Sequence, residues 1–361
     1  MKRTLLLICT LLCANVLLAQ EQLAVLKHND STSVFYGASA FEQAYTAATH
    51  GDIITLSDGI FSTPNQIKKG ITVRGNGAVV DTARKSTGTY FMEGCSVYDL
   101  GDSLEFKAEG IYFSSFGTLR SYDIELTRCY IDNISGVAGL QATNCIIKGG
   151  NNGYIYYPFS GSENHQNRYI NCILKANSGC YLPGYAICNN CIMVGKNLTN
   201  YYQYNNCVLN GGSAVNLPYH AICNNCIIIG REYYTSYQYN NCVVRKGGGN
   251  DTILNGSLNN SVLIGFTGSN SPASSGNVAM SLSDVFENWD GTGLPTDLET
   301  YVLKSSVSDS IQSIDGTEVG IFGGFMPFDW RPSYSIIKRF NVANRTTADG
   351  KLSVDIEVIS E

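Results

Sequence analysis

The segment AICNNCIMVG at residues 186–195 returns as AICNNCIIIG at residues 221–230, which is 35 residues later. The shorter string QYNNC begins at Gln203 and returns at Gln238, again after 35 residues. A near-identical repeat at a fixed period indicates stacked structural units, each of which buries its apolar side against the next. The repeat therefore predicts a solenoid.

Each repeat contains the pattern Asn-Cys-aliphatic-aliphatic twice. From Cys172 onward the distance between successive pattern positions alternates between 19 and 16 residues, which we interpret as two coils of a β-solenoid per repeat. A single coil of 35 residues is the alternative. The pattern positions are Cys129, Cys145, Cys172, Cys191, Cys207, Cys226, Cys242 and Ser261.

Strand alternation predicts the direction of each side chain. When Cys191 points into the solenoid, Met193 also points inward, and Ile192 and Val194 point outward. These outward aliphatic residues need a cover, either a loop or a partner chain. The paired asparagines that follow each first strand predict turns with left-handed backbone, whose amides hydrogen-bond from coil to coil. They are residues 189–190, 205–206, 224–225, 240–241 and 259–260.

The two ends of the chain depart from the repeat. Two basic residues and a short apolar stretch at the start are typical of a secretory signal peptide. Ala40 to Thr49 has the spacing of an amphipathic helix, which would cap the exposed end of a solenoid. We therefore divide the chain into a signal peptide (1–19), an N-terminal segment with a capping helix (20–50), the β-helix (51–330) and a C-terminal β-hairpin (331–361).

Composition limits the function. The net charge is −6 and charged residues make up 15% of the chain, so a nucleic-acid partner is not expected. No apolar stretch is long enough to span a bilayer comfortably. Most of the 13 cysteines follow the repeat, which favours buried core positions over a disulfide framework. The pairs Cys188/Cys191 and Cys223/Cys226 lie two coils apart, too far for a shared zinc ion, so we expect no metal.

Three segments resemble known proteins. GDIITLSDGIF at residues 51–61 and ITVRGNGAVVD at residues 71–81 resemble the opening of right-handed parallel β-helix proteins of the pectin-lyase-like superfamily, and the NNC coils resemble their body. DGTEVGIFGGFMPFDWRP at residues 315–332 is similar to the closing segment of exported proteins from Gram-negative gut bacteria. The resemblance implies a right-handed parallel β-helix. It implies no single activity, because the superfamily contains enzymes and adhesins.

Catalytic candidates are few. A lyase of this fold needs acidic residues that hold calcium and a basic residue that abstracts a proton, and a hydrolase needs paired carboxylates. Between Gln141 and Gly265 the acidic residues are Glu163, Glu232 and Asp251, in unmatched positions. The weak candidates for catalysis are Arg168, Lys175, His165 and Glu163. A basic column is also predicted on the outer face, at Lys148, Lys175, Asn210 and Arg245.

Tyrosine is abundant, with 23 residues in the chain. Its ring offers a flat apolar face and a hydroxyl group, which suit stacking on sugar rings; packing along the coil edges is the alternative. The candidate ligand-binding residues are Tyr154, Tyr156, Tyr157, Tyr201, Tyr202, Tyr234 and Tyr237.

The sequence favours an exported, non-catalytic β-helix protein that binds a glycan or another surface component, or that serves as a structural surface protein. The alternative is a lyase-like enzyme that degrades an acidic polysaccharide, and calcium is expected as a cofactor only in that case. We expect the protein in the periplasm or on the outer surface of a Gram-negative bacterium. The oligomeric state is left open.

Overall fold

Strands from successive coils stack in register, as the repeat predicts. The computed structural model describes residues 22–79, 87–101, 104–119, 123–149, 166–175, 186–194, 202–210, 221–230, 238–246, 257–266, 276–289, 298–329, 335–342 and 354–360. Two units are distinguished, residues 1–328 and residues 329–361. The first unit is a parallel β-helix, which confirms the predicted fold class.

Two long sheets run along the helix. The first sheet has 13 strands, in the order β2-β1-β3-β5-β8-β11-β14-β16-β18-β20-β22-β24-β26. Its strands are β1 (Leu23–His28), β2 (Ser31–Tyr36), β3 (Ile53–Leu56), β5 (Thr72–Arg74), β8 (Phe106–Glu109), β11 (Ile124–Thr127), β14 (Leu140–Thr143), β16 (Asn167–Ile170), β18 (Ala186–Asn189), β20 (Tyr202–Asn205), β22 (Ile222–Asn224), β24 (Gln238–Asn240) and β26 (Ser257–Asn259).

The second sheet has 12 strands, all parallel to their neighbours. They are β4 (Gly59–Ile60), β6 (Thr89–Phe91), β9 (Tyr112–Phe113), β12 (Tyr130–Ile131), β15 (Ile146–Lys148), β17 (Ile173–Lys175), β19 (Ile192–Val194), β21 (Val208–Asn210), β23 (Ile227–Gly230), β25 (Val243–Lys246), β27 (Val262–Ile264) and β28 (Val278–Met280). A third sheet of three strands lies in the early coils and comprises β7 (Cys95–Tyr98), β10 (Phe116–Leu119) and β13 (Ile134–Ser135).

The N-terminal end is closed by a cap. Helix α1 (Ala40–Ala47) buries Ala40, Phe41 and Ala44, which confirms the predicted capping helix. Strands β1 and β2 pair antiparallel, and β1 also pairs antiparallel with β3. The sequence analysis did not predict this strand pair, whose outer strand carries a largely exposed STSVFY.

The interior is filled by columns of identical or complementary side chains. At one position, cysteine follows cysteine from Cys129 to Cys242, and Ser261 takes the last place; we call this column the cysteine ladder. At a second position the buried rings of Tyr169, Tyr204 and Tyr239 alternate with Cys188 and Cys223. Large and small residues thus alternate in successive layers, which fills the interior without voids.

The cysteine ladder is held by hydrogen bonds. The backbone N–H of Cys191 donates to Sγ of Cys207 over 3.4 Å, and Sγ of Cys207 lies 3.2 Å from the carbonyl oxygen of Asn205. All ten described cysteines are free thiols and buried. Burial raises the pKa of Cys172 well above its usual value, so this thiol stays protonated and can donate.

The outward aliphatic residues are covered by the chain itself. After β28, residues 282–289 and 298–328 form helix α2 (Leu282–Val285), a 3-10 helix (Leu298–Tyr301), helix α3 (Ser305–Ser308) and turns; we call these residues the covering segment. Its side chains form one buried cluster with the outer face of the second sheet, which includes Ile192, Val208, Ile227 and Val243. The sequence analysis predicts that either a loop or a partner chain covers these residues, and the covering segment confirms the loop.

The second unit contains an antiparallel strand pair, as predicted. Strand β29 (Ser335–Val342) pairs with β30 (Val354–Ser360), with an irregularity between Ile337 and Arg339.

We predict that Cys207→Asp destabilises the solenoid strongly, whereas Cys207→Ser does not. Cys207 is fully buried, and an aspartate there would place an unpaired charge in the core, at a cost of about 3–5 kcal/mol. Serine already occupies this place at Ser261, where Oγ accepts from the backbone of Cys242 over 3.1 Å. Thermal and urea unfolding of both variants measure the difference, and similar stabilities would show that the ladder position is not in the core.

Candidate functional site

The structure places the two basic catalytic candidates on different sheets. Arg168 lies in β16 of the first sheet and Lys175 lies in β17 of the second, and both are exposed. Asn171 turns the chain between the two strands with a φ of 51°. The candidates His165 and Glu163 lie outside the described residues.

Most of the predicted tyrosine set is also outside the described residues. Tyr202 begins β20 and pairs with Ala186 in the first sheet. The other six are Tyr154, Tyr156, Tyr157, Tyr201, Tyr234 and Tyr237, of which nothing is described.

The four residues of the predicted basic column do share one register position of the second sheet. The column is not exposed to solvent along its whole length. Lys148 pairs with Lys175, and Asn210 and Arg245 follow on the same line through Val194 and Ile229. Asn210 is buried, however, and its amide donates to the hydroxyl of Tyr301 over 3.2 Å. Arg245 lies 4.3 Å from the ring centre of Trp289. The covering segment therefore occupies the later part of this column.

The covering segment is tied to the solenoid through the second asparagine of three successive pairs, Asn190, Asn206 and Asn225. These residues have left-handed backbone, with φ of 50° at Asn190, 52° at Asn206 and 56° at Asn225. Asn190 Nδ2 donates to the carbonyls of Ile321 (2.9 Å) and Gly323 (2.6 Å). Asn206 Nδ2 donates to the carbonyl of Gly320 over 3.1 Å. Asn225 Oδ1 accepts from the backbone N–H of Ile314 over 3.3 Å. Three successive turns thus hold the covering segment.

The first asparagine of each pair forms a second ladder. Asn205 Nδ2 donates to Asn189 Oδ1 over 2.8 Å, and Asn224 Nδ2 donates to Asn205 Oδ1 over 3.0 Å. The same bond links Asn240 to Asn224 and Asn259 to Asn240. We call this column the asparagine ladder and each of its residues a rung. It confirms the predicted coil-to-coil amide bonding.

A groove of about 470 Å³ lies between the asparagine ladder and the covering segment. On the solenoid it is lined by Ile170, by the rungs Asn189, Asn205 and Asn224, and by Asn190, Asn206 and Asn225. The other side is formed by Ile314, Asp315, Phe325 and Met326. This volume falls in the range of about 300–1,000 Å³ that is usual for ligand sites.

The loop that carries Phe325 is held in place by hydrogen bonds. The carboxylate of Asp315 accepts from the hydroxyl of Ser313 and from Oγ1 of Thr317 (2.7 Å), and Thr317 Oγ1 in turn accepts from the backbone of Gly324 over 2.6 Å. Gly324 has a φ of 80°, and a Cβ there would lie 2.9 Å from the amide of Asn206. Glycine is therefore needed where the loop meets the solenoid.

Phe325 is the most exposed large apolar residue among those described, at 97%. Ile314, at 71%, and Met326, at 37%, lie beside the same groove. Solvent exposure of an aromatic side chain on a well-anchored loop costs hydration free energy that a ligand can recover. The groove thus combines a ring, thioether and alkyl groups with a row of amides.

The groove carries negative charge. Hydrogen bonds from Ser313 and then Thr317 hold the pKa of Asp315 below its usual value, so this carboxylate is ionised at neutral pH. None of the described residues that line the groove is lysine, arginine or histidine.

A stack of tyrosines on the second sheet is a further aromatic surface that the sequence analysis missed. The ring centres of Tyr90 and Tyr112 are 5.1 Å apart, and those of Tyr112 and Tyr130 are 5.2 Å apart. Lys148 Nζ lies 4.7 Å from the centre of Tyr130. The sequence does indicate an outward position for Tyr130, because this residue directly follows the ladder residue Cys129. Because Tyr112 lies between two rings and Tyr130 between a ring and an ammonium group, this stack is a poor platform for a sugar ring.

A His-Asp-Thr group at the N-terminal cap also resembles a catalytic set. His28 Nδ1 lies 2.8 Å from Asp52 Oδ1, and Thr49 Oγ1 donates to Asp52 Oδ2 over 3.2 Å. His28 Nε2 faces the amide of Asn29 at 3.2 Å rather than a hydroxyl or thiol. A triad needs the nucleophile at that nitrogen, so this group serves to tie β1 to the helix–strand connection.

Among the described residues, no three His, Cys, Asp or Glu side chains are placed to hold a metal ion. Within the same residues, no helix has both the length and the apolar character needed to cross a bilayer.

A comparison with known proteins gives no match to a family model, to a curated protein or to a solved structure. The parallel β-helix therefore rests on the strand pairing of this chain.

We predict that Asn190→Asp loosens the covering segment. The substitution replaces a donor of two hydrogen bonds by a carboxylate that faces two carbonyl oxygens, so stability should fall by at least about 2 kcal/mol. Asn260→Asp is the matched control, because Asn260 has the same backbone conformation, with a φ of 46°, but is exposed. Urea unfolding and hydrogen exchange of residues 298–328 measure the effect. Equal losses in both variants would contradict the assigned anchor.

We predict that Glu318→Gln stabilises the protein at pH 7 but not near pH 4. Burial, and then the nearby Glu287, raise the pKa of Glu318 above its usual value. Because the pKa of Glu318 is higher in the folded state than in the unfolded state, the free energy of unfolding is highest below the unfolded-state pKa. It falls as pH rises through the folded-state pKa. The neutral glutamine avoids this loss. Melting temperatures at the two pH values test the sign, and Glu93→Gln, at an exposed position, is the control.

Proposed function

We propose that this chain is an exported, non-catalytic β-helix protein that binds a glycan in the groove beside the asparagine ladder. The signal-like residues 1–19 support export, and the site of action would be the periplasm or the outer surface of a Gram-negative bacterium. The resemblance to the pectin-lyase-like superfamily supports right-handed coils and a polysaccharide context. The proposed binding requires no cofactor.

The observation that carries the proposal is the exposed ring of Phe325 in the same groove as a row of amides. A sugar presents an apolar face of C–H groups and a rim of hydroxyls, so it needs an aromatic face and hydrogen-bonding groups together. Phe325 supplies the ring, and Asn189, Asn205 and Asn224 supply amides within the same groove.

The amides are positioned before any ligand arrives. Asn205 is bonded to the rungs on both sides, Asn189 and Asn224, and the loop of Phe325 is fixed through Asp315 and Thr317. Little conformational entropy is therefore lost on binding, which favours affinity in a shallow site.

The geometry of the described residues favours binding over the lyase alternative. The two basic candidates Arg168 and Lys175 extend from different sheets, and the groove itself contains a carboxylate rather than a cation. Proton abstraction next to a uronate carboxylate would need a cation at the substrate.

We predict that Phe325→Ala weakens glycan binding at least about tenfold, which corresponds to about 1.4 kcal/mol. Because Phe325 is 97% exposed, the melting temperature should stay unchanged. Isothermal titration of the mature protein against a panel of neutral and acidic oligosaccharides measures the affinity. Tyr36→Ala is the control, since Tyr36 is an exposed aromatic residue (59%) in strand β2, outside the groove.

Two results would contradict the proposal. Binding that is unaffected by Phe325→Ala would remove the groove as the site. Chain shortening of a polysaccharide, followed by the size distribution of the products, would contradict a non-catalytic role and favour the enzyme.

A further inference from the structure

We infer that the ligand is an uncharged, linear glycan that lies along the solenoid axis, with successive sugars on successive rungs of the asparagine ladder. This inference rests on the proposed function, since it specifies the ligand class of the same groove. It goes beyond it by assigning charge, shape and direction to the bound chain.

The direction follows from the register of the strands. Ile170 pairs with Asn189, Asn189 with Asn205 and Asn205 with Asn224, so four equivalent positions lie in one line along the groove. Neighbouring strands are about 4.8 Å apart. This distance is close to the length of one pyranose in an extended glycan chain. A linear ligand parallel to the axis can therefore repeat its contacts from coil to coil.

The rungs have hydrogen-bonding capacity to spare. An asparagine amide has two N–H donors, and the ladder uses one of them at Asn205 and at Asn224. Within the described residues the second donor of each has no partner. Hydroxyl and ring oxygens of a sugar accept such bonds, and the same group recurs at each rung.

The charge of the groove selects against acidic glycans. Asp315 is ionised and lines the groove, and no described lining residue is cationic. A uronate or sulfate group would lie close to this carboxylate without compensation, which is unfavourable and depends on salt. A neutral chain avoids the penalty.

The test uses two series of probes of matched length, β-1,4-linked glucose and mannose oligosaccharides and oligogalacturonates, from disaccharide to hexasaccharide. Titration with the mature protein should show that Kd for a neutral series falls at least about tenfold from disaccharide to tetrasaccharide, and then levels off beyond the four positions of the groove. Acidic chains of the same length should bind at least about tenfold more weakly at low salt.

Asp315→Asn tests the charge. The asparagine keeps an oxygen that can accept from Ser313 and Thr317, and the ratio of acidic to neutral Kd should fall toward one. A matched melting temperature in this variant checks that the loop is intact.

The outcomes separate the two claims. Tighter binding of the acidic series, or a neutral affinity that does not depend on length, would overturn the inference while Phe325→Ala still defines the groove. Loss of discrimination in Asp315→Asn supports it, and unchanged discrimination overturns the role of Asp315. Absence of binding to either series, with Phe325→Ala indistinguishable from the parent, would overturn the proposed function itself.

Discussion

The coils of the solenoid are constrained by in-register stacking. Parallel strands place the same coil position of successive turns about 4.8 Å apart, so a residue must be compatible with copies of itself above and below. Cysteine and asparagine meet this condition because each can donate to and accept from its neighbour, as in the bond from Cys191 N to Cys207 Sγ and that from Asn205 Nδ2 to Asn189 Oδ1. A charged residue repeated at every coil would face like charges. The in-register pair of Lys148 and Lys175 lies on the outer face of the second sheet, not in the interior. The low charge of the repeats follows from the same condition.

The stacking also explains how a binding surface arises from a structural device. The asparagine ladder stabilises the turn between the two sheets, but an amide has more hydrogen-bonding groups than the ladder uses. The covering segment then lies beside the ladder, held by Asn190 and Asn206, and presents Phe325 to it. The groove is therefore formed by two parts of the chain that are distant in sequence and meet only in the folded protein.

The repeat allowed much of the fold to be predicted, because a period reports stacking directly. Cys191 and Met193 lie in the inner cluster and Ile192 in the outer one, as strand alternation requires, and the capping helix and C-terminal hairpin are present. The covering segment could not be identified, since residues 282–289 and 298–328 have no repeat and nothing in their local sequence indicates contacts with the outer face. The groove was missed for the same reason: Phe325 is adjacent to Asn189 and Asn205 only through that segment. The stack of Tyr90, Tyr112 and Tyr130 was not predicted, because these residues precede the regular repeat and their uneven spacing does not show that they share a register position.

The anchoring of the covering segment also limits how such a protein can gain repeat units during evolution. A solenoid made of near-identical units can lengthen by gene duplication wherever a new coil meets only its two neighbours. Between Asn190 and Asn225 this freedom is lost, because one non-repeating stretch of chain bonds to Asn190, Asn206 and Asn225 together. An extra 35-residue unit there would move the outer anchors apart by about 10 Å, the rise of two coils. The covering segment thus fixes the number of coils between its anchors. Duplication of a unit is tolerated only outside the coils that the anchors span.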